Sequence, residues 1–166
     1  MRKPNYNKVQ NMIEELRKKY SLYKPPINPL EIARNEGIEV KFVRFGDGHE
    51  DISGFYDPDD NVIYVNKDEP PKRQTFTIAH ELGHALLHRD WAKTENYHVL
   101  RRNSSPNLFG VNEPHEKEAN AFAAHLLVPS DLLDRFYPQL HEKELARLFA
   151  VSLPVIENRI SFEYGK

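Results

Sequence analysis

His80-Glu81-Leu82-Gly83-His84 is the stretch on which the fold reading turns. On an α-helix, positions i and i+4 lie on one face, about 6 Å apart along the axis. Two imidazoles at that spacing can reach one Zn²⁺, and the Glu between them lies at the side of the same face, placed to act as a base toward water. The bland alternative is a surface helix that happens to carry two His. The flanking residues argue against it. Ile78, Leu82, Ala85 and Leu86 form a stripe opposite the His pair, and Phe76, Gly83 and Leu87 lie beside it. A helix apolar on both sides is buried, and buried imidazoles need polar partners. The helix is predicted to start at Asp68 to Pro71, with a capping Asp and prolines in the first turn, and to run to about Arg89.

A catalytic zinc usually takes three protein ligands and keeps one position open. The same-helix extension H-E-x-x-H-x-x-G-x-x-H fails, because Leu87 and Asp90 stand where its Gly and last His belong. His88 lies about 12 Å along the axis from His80, too far to share the ion, and is read as a residue that supports or packs at the helix end. The third ligand must therefore come from a later helix, and EKEANAFAAHLLV (residues 116–128) offers Glu116 and Glu118. Glu118 shares a face with Phe122, His125 and Leu126, whereas Glu116 points about 160° away. Ala119, Ala123 and Ala124 would let this helix approach the first closely. This reading favours Glu118 as the ligand, with Glu116 as the alternative and Glu81 as the base. For stabilising an oxyanion, His98, His115, His125 and Tyr97 are candidates that the sequence does not rank.

Working outward, the chain alternates helical and strand-like patterns. Val9 to Tyr20 is apolar at helical spacing, and Pro25-Pro26 is expected to end that helix. Asn28-Pro29 reads as an N-cap with Pro at the first helical position, opening Leu30 to Glu36, with Gly37 as the stop. Ile38 to Phe45 is strand-like, with Ile38, Val40 and Phe42 expected on one face. Ser53 to Tyr56 and Val62 to Val65 flank a turn-rich linker and read as a hairpin. Trp91 to Pro114 is the least regular region, with Tyr97 and Val99 suggesting a short strand. Ser130-Asp131 is expected to cap a short helix to about Tyr137, and Glu142 to Ala150 and Pro154 to Ile160 are two more short helices. The expected fold class is α+β: about three strands packed on the His80–His84 helix, a second ligand-bearing helix, and a C-terminal helical subdomain. The expected division is a core over 1–137 and a helical part over 138–166.

Composition narrows the function classes. The formal net charge is −2 and hydrophobic residues make up 39 % of the chain, so nothing signals attraction of the whole chain to nucleic acid or anionic lipid. There is no cysteine, which removes disulfides and thiolate ligands and leaves any metal to His, Asp or Glu. The N-terminal stretch MRKPNYNKVQNM has no apolar segment of a signal peptide, and no run reaches transmembrane length. The cytoplasm is the expected location.

FTIAHELGHALLH (residues 76–88) and EANAFAAHLLVP (residues 118–129) together resemble the ImmA/IrrE family of bacterial and phage metallopeptidases. SGFYDPDDNVIYVN (53–66) resembles the hairpin before that family's active-site helix, and PLEIARNEGIEV (29–40) its N-terminal helix–strand unit. The resemblance covers most of residues 25–160, with Thr75 and Val128 as small departures. It implies a small zincin-like core of the thermolysin type, with His80, His84 and a Glu of the E-A-N motif, Glu118, as ligands and Glu81 as base. It further implies a zinc endopeptidase that cuts one protein, a helix-turn-helix repressor, and so switches on mobile-element or stress-response genes. Two imidazoles and a carboxylate would also accept Mn²⁺, Fe²⁺ or Co²⁺.

Two other readings compete. ELARLFAVSLPVIENRI (residues 144–160) has a helix-turn-helix look, with Ala146, Val151 and Ile156 as packing positions. However, residues 141–166 carry Lys143, Arg147, Arg159 and Lys166 against Glu142, Glu144, Glu157 and Glu163, a poor footprint for phosphate. No direct nucleic-acid binding is expected. The other reading is a non-proteolytic antirepressor or toxin-like protein with a structural metal, but a structural site has no need of Glu81.

Overall fold

A computed structural model describes residues 2–94, 97 and 113–166. Among them are eight helices and three strands. Helix α1 is Tyr6–Tyr20 and α2 is Pro29–Asn35. Strands β1 (Glu39–Val43), β2 (Gly54–Asp57) and β3 (Val62–Asn66) follow. The remaining helices are α3 (Pro71–Leu87), α4 (Arg89–Ala92), α5 (Pro114–Leu127), α6 (Ser130–Phe136), α7 (Glu142–Phe149) and α8 (Leu153–Tyr164). The expected α+β class is therefore the observed one.

Local chemistry sets most boundaries. Asn5 caps α1 by accepting from the Lys8 N–H. Ser21, in the left-handed region at φ 54°, ends that helix before the prolines are reached. Asn28 Oδ1 accepts from the N–H groups of Leu30 and Glu31, Pro29 fills the first turn, and Gly37 reverses the chain at φ +80°. Two expected caps fall elsewhere. Asp68 lies too far upstream of α3 to reach its free N–H groups and instead pairs with Arg44 at 3.1 Å. Ser130 is the first residue of α6 rather than its cap, and its hydroxyl donates to Glu163.

The sheet order is β1-β3-β2. The hairpin is present: β2 runs antiparallel to β3, with Tyr56 opposite Ile63. β1 joins β3 in parallel, with Val40 opposite Ile63, across the intervening β2 segment. Val40 and Ile38 are buried as their alternation implies, but Phe42 is 41 % exposed. It sits on β1, an edge strand of the sheet among the described residues.

Helix α3 packs against β2 and β3 and also against α1, α2 and α5. Eleven of its residues are buried, Phe76 through Ala85 and Leu87, so it is enclosed on every side along its C-terminal half. The surface-helix alternative is thereby removed. The C-terminal helices join the same apolar cluster: Ala146, Val151 and Ile156 are buried, together with Leu145 and Phe149. Arg159 of α8 is 1 % exposed and donates from Nε to the Val128 carbonyl at the end of α5, 2.9 Å away. Among the described residues no helix is long and apolar enough to cross a membrane.

Candidate metal centre

One turn of α3 separates His80 from His84, and both side chains point at α5. His80 Nε2 lies 3.0 Å from Glu116 Oε2, and His84 Nε2 lies 2.7 Å from Glu116 Oε1. One ligand atom from each of the three residues lies within 4.8 Å of the others, and all three residues are buried. The structure thus brings Glu116, not Glu118, to the histidine pair. Helix α5 is buried almost all round: Pro114, Glu116, Glu118, Ala119, Phe122, Ala123, His125, Leu126 and Leu127 are all enclosed. Sharing a face with apolar residues therefore does not single out one carboxylate. The discriminating signal is the small-residue stripe. Glu116 stands at helical spacing from Ala119, Asn120 and Ala123, and the Asn120 side chain interacts with the His80 ring.

The close approach of the two helices has a visible cause. A Cβ placed on Gly83 would lie 3.0 Å from Phe122 Cδ1, so the absent side chain is what lets α5 settle against α3. Within the resulting niche, burial opposes ionisation of Glu116, but the facing imidazoles of His84 and His80 outweigh it and hold the carboxyl well below its ordinary range. Burial likewise opposes charging of His80, yet the facing Glu116 carboxylate raises its pKa. Three converging polar groups, enclosed and compensating one another, form a donor set of two imidazole nitrogens and a carboxylate, which suits a divalent ion of the zinc class.

Glu81 is 6 % exposed, and its Oε2 lies 3.9 Å from His80 Nε2. Burial pushes its carboxyl up from the usual range. Its other oxygen lies 3.2 Å from the Tyr97 hydroxyl. That hydroxyl also accepts from the Tyr56 N–H at 2.7 Å and lies 3.0 Å from the Tyr56 carbonyl. Tyr97 therefore links the outer edge of β2 to Glu81.

The other named residues stand apart. Glu118 accepts from Arg2, from the Asn5 N–H and from His88. His88 caps α3 and lies 3.0 Å from His84, Nδ1 to Nδ1. Burial, then His84, lower its pKa to about 3. His115 pairs with Glu113 and stacks on Trp91 at 4.1 Å. His125 lies near Gln10 and Phe162, and burial lowers its pKa to about 4. Of the oxyanion candidates in the described residues, only Tyr97 touches Glu81; His98 and Val99 lie outside those residues.

Known proteins similar to this chain include metalloproteases. A peptidase family model described as the IrrE N-terminal-like domain matches residues 33–161. The chain is 33 % identical over 106 residues to the radiation response metalloprotease IrrE of Deinococcus radiodurans, covering 61 % of this chain and 30 % of that protein. It is 35 % identical over 122 residues to the protein of the same name from Deinococcus deserti, covering 70 % of this chain and 40 % of that one. An uncharacterized immunity region protein 2 of Bacillus phage phi105 is 32 % identical over 133 residues, 79 % of this chain and 75 % of the phage protein. The chain thus spans well under half the length of the Deinococcus relatives. A solved structure described as a Mycobacterium tuberculosis transcriptional regulator shares the fold, with TM-score 0.67 at 21 % identity over 93 % of this chain and 46 % of that one.

Proposed function

The chain belongs to the ImmA/IrrE family of peptidases, that of the IrrE N-terminal-like domain, and from that premise we propose that it is a zinc-dependent endopeptidase. His80, His84 and Glu116 hold the ion and Glu81 serves as the base. The observation that carries this reading is the convergence of two imidazoles and one carboxylate in a buried niche with a second, unshared carboxylate beside it. A divalent ion there would polarise a scissile carbonyl and lower the pKa of water. Glu81 accepts the proton that water loses and passes it to the leaving amine. Tyr97 holds Glu81 from the side of β2. Zinc is the proposed ion, and the donor set also accepts Mn²⁺, Fe²⁺ or Co²⁺.

The substrate reading is a helix-turn-helix repressor in the cytoplasm, cut at one place to release the genes it silences. Relatives whose names speak of a radiation response and of a phage immunity region support a regulatory target over general digestion. Among the described residues β2 is an edge strand packed beside α3, so an extended segment of substrate that displaced the Tyr97 hydroxyl from Tyr56 would add along it as a further strand. The test is incubation of the zinc-loaded chain with any helix-turn-helix repressor encoded beside its gene. A single cut that Glu81→Gln abolishes is expected. Equal relief of repression by Glu81→Gln would replace this reading with that of a non-proteolytic antirepressor.

A further inference from the structure

The carboxylate that does not meet the histidine pair is the less expected feature. Glu118 has a side chain only 2 % exposed, yet it accepts four hydrogen bonds. Arg2 donates from Nη1 to Oε2 at 2.7 Å and from Nη2 to Oε1 at 3.0 Å. The Asn5 backbone N–H donates to Oε2 at 2.5 Å, and His88 Nε2 lies 2.6 Å from Oε1. Arg2 and Asn5 lie before the 33–161 stretch shared with the family. They belong to a short arm at the start of the described chain that folds back onto α5.

His88 connects this cluster to the metal centre. Its Nδ1 lies 3.0 Å from His84 Nδ1, while His84 Nε2 is the atom that faces Glu116. If His84 offers Nε2 to an ion, its single proton must sit on Nδ1. That proton can then be donated only to an unprotonated His88 Nδ1. His88 must carry its own proton on Nε2, where Glu118 accepts it. Every tautomer in the series is thereby fixed by the one before it. The carboxylate at its end is in turn oriented by Arg2 and the Asn5 N–H. Metal-bound imidazoles commonly donate their second N–H to a carboxylate directly; here an extra imidazole is interposed.

We propose that Glu118 is a positioning residue that acts on His84 through His88, and that the N-terminal arm, through Arg2 and Asn5, locks it in place. This rests on the reading of His80, His84 and Glu116 as the metal site. The consequence is that residues far from the peptidase motif in sequence set how firmly His84 is aimed. An isolated salt bridge tying down a chain end would not require the intervening His88 tautomer.

The test is a long-range ¹H–¹⁵N spectrum of the full chain titrated with zinc, joined to zinc affinities of Glu118→Ala and Glu118→Gln. The expected spectrum has the zinc-loaded protein protonated at His84 Nδ1 and His88 Nε2. Glu118→Ala is expected to bind zinc roughly 10–100-fold more weakly. Glu118→Gln, which keeps one oxygen for the His88 proton but turns an amide N–H toward the Arg2 and Asn5 donors, should recover part of that loss. A proton on His88 Nδ1 overturns the proposal, as does unchanged zinc affinity in Glu118→Ala. If Glu118→Ala does not fold, the spectrum of the unmutated chain still decides. Failure of zinc to shift His80 and His84 at all would instead overturn the metal-site reading, and the two failures are therefore distinct.

Discussion

Phe122 of α5 packs on Gly83 of α3 so closely that an added Cβ would lie 3.0 Å from its Cδ1 and 3.2 Å from its Cβ. Both residues are in helices that carry the candidate ligands. Gly83→Ala should push the aromatic ring, and with it α5, away by a few tenths of an ångström. An overpacked helix contact of this kind costs about 1–3 kcal/mol. Thermal unfolding and zinc titration should both register the change, with Gly83→Val worse than Gly83→Ala. Unaltered stability and zinc affinity in Gly83→Ala would show that the Phe122 ring yields without moving the helix.

Tyr97→Phe removes a hydroxyl that the Tyr56 N–H donates to and that lies within reach of the Tyr56 carbonyl and Glu81. Loss of stability should be about 1 kcal/mol. The edge groups of β2 become free for a substrate backbone, so KM for a peptide substrate is expected to fall. Zinc affinity should stay at the wild-type value, because Tyr97 is not among the converging donors. A raised KM would mean that the hydroxyl holds the substrate rather than occupying its place.

Glu163 accepts from Arg159 at 2.8 Å and from the Ser130 hydroxyl. Burial opposes its ionisation, but those two donors prevail and depress its pKa below the ordinary value of 4.5. A depressed carboxyl stabilises the fold above its unfolded pKa, and that contribution disappears as pH falls through the folded value. Glu163→Gln should therefore be less stable than wild type at pH 7, by roughly 1–2 kcal/mol. The difference should shrink as urea unfolding is repeated below about pH 4.5. A gap that is constant with pH would assign the loss to packing.

How much of this was legible in the sequence depended on how local the cause is. The His80–His84 helix and the hairpin across Asp57 to Asn61 were readable because periodicity and turn residues act over a few positions. The parallel pairing of β1 with β3 has no local signature, since it is made only when the chain returns. Helix α5 is recognisable in the sequence, but burial does not tell which of its two carboxylates faces the histidine pair. Both Glu116 and Glu118 are buried, and only the stripe through Ala119, Asn120 and Ala123 separates them. The Arg2–Glu118 contact joins residues 116 positions apart, and nothing near either one announces it. Tyr97 was one candidate among four, and its bond to Glu81 depends on where β2 lies.

Glu116 is proposed to complete the metal site with His80 and His84. Calorimetric zinc titration of the wild-type chain beside Glu116→Ala tests it most directly. One zinc per wild-type chain is predicted. Glu116→Ala should lose more than the roughly 10–100-fold that removal of an outer partner costs. Wild-type zinc affinity in Glu116→Ala, or abolished binding in Glu118→Ala alone, would contradict the account.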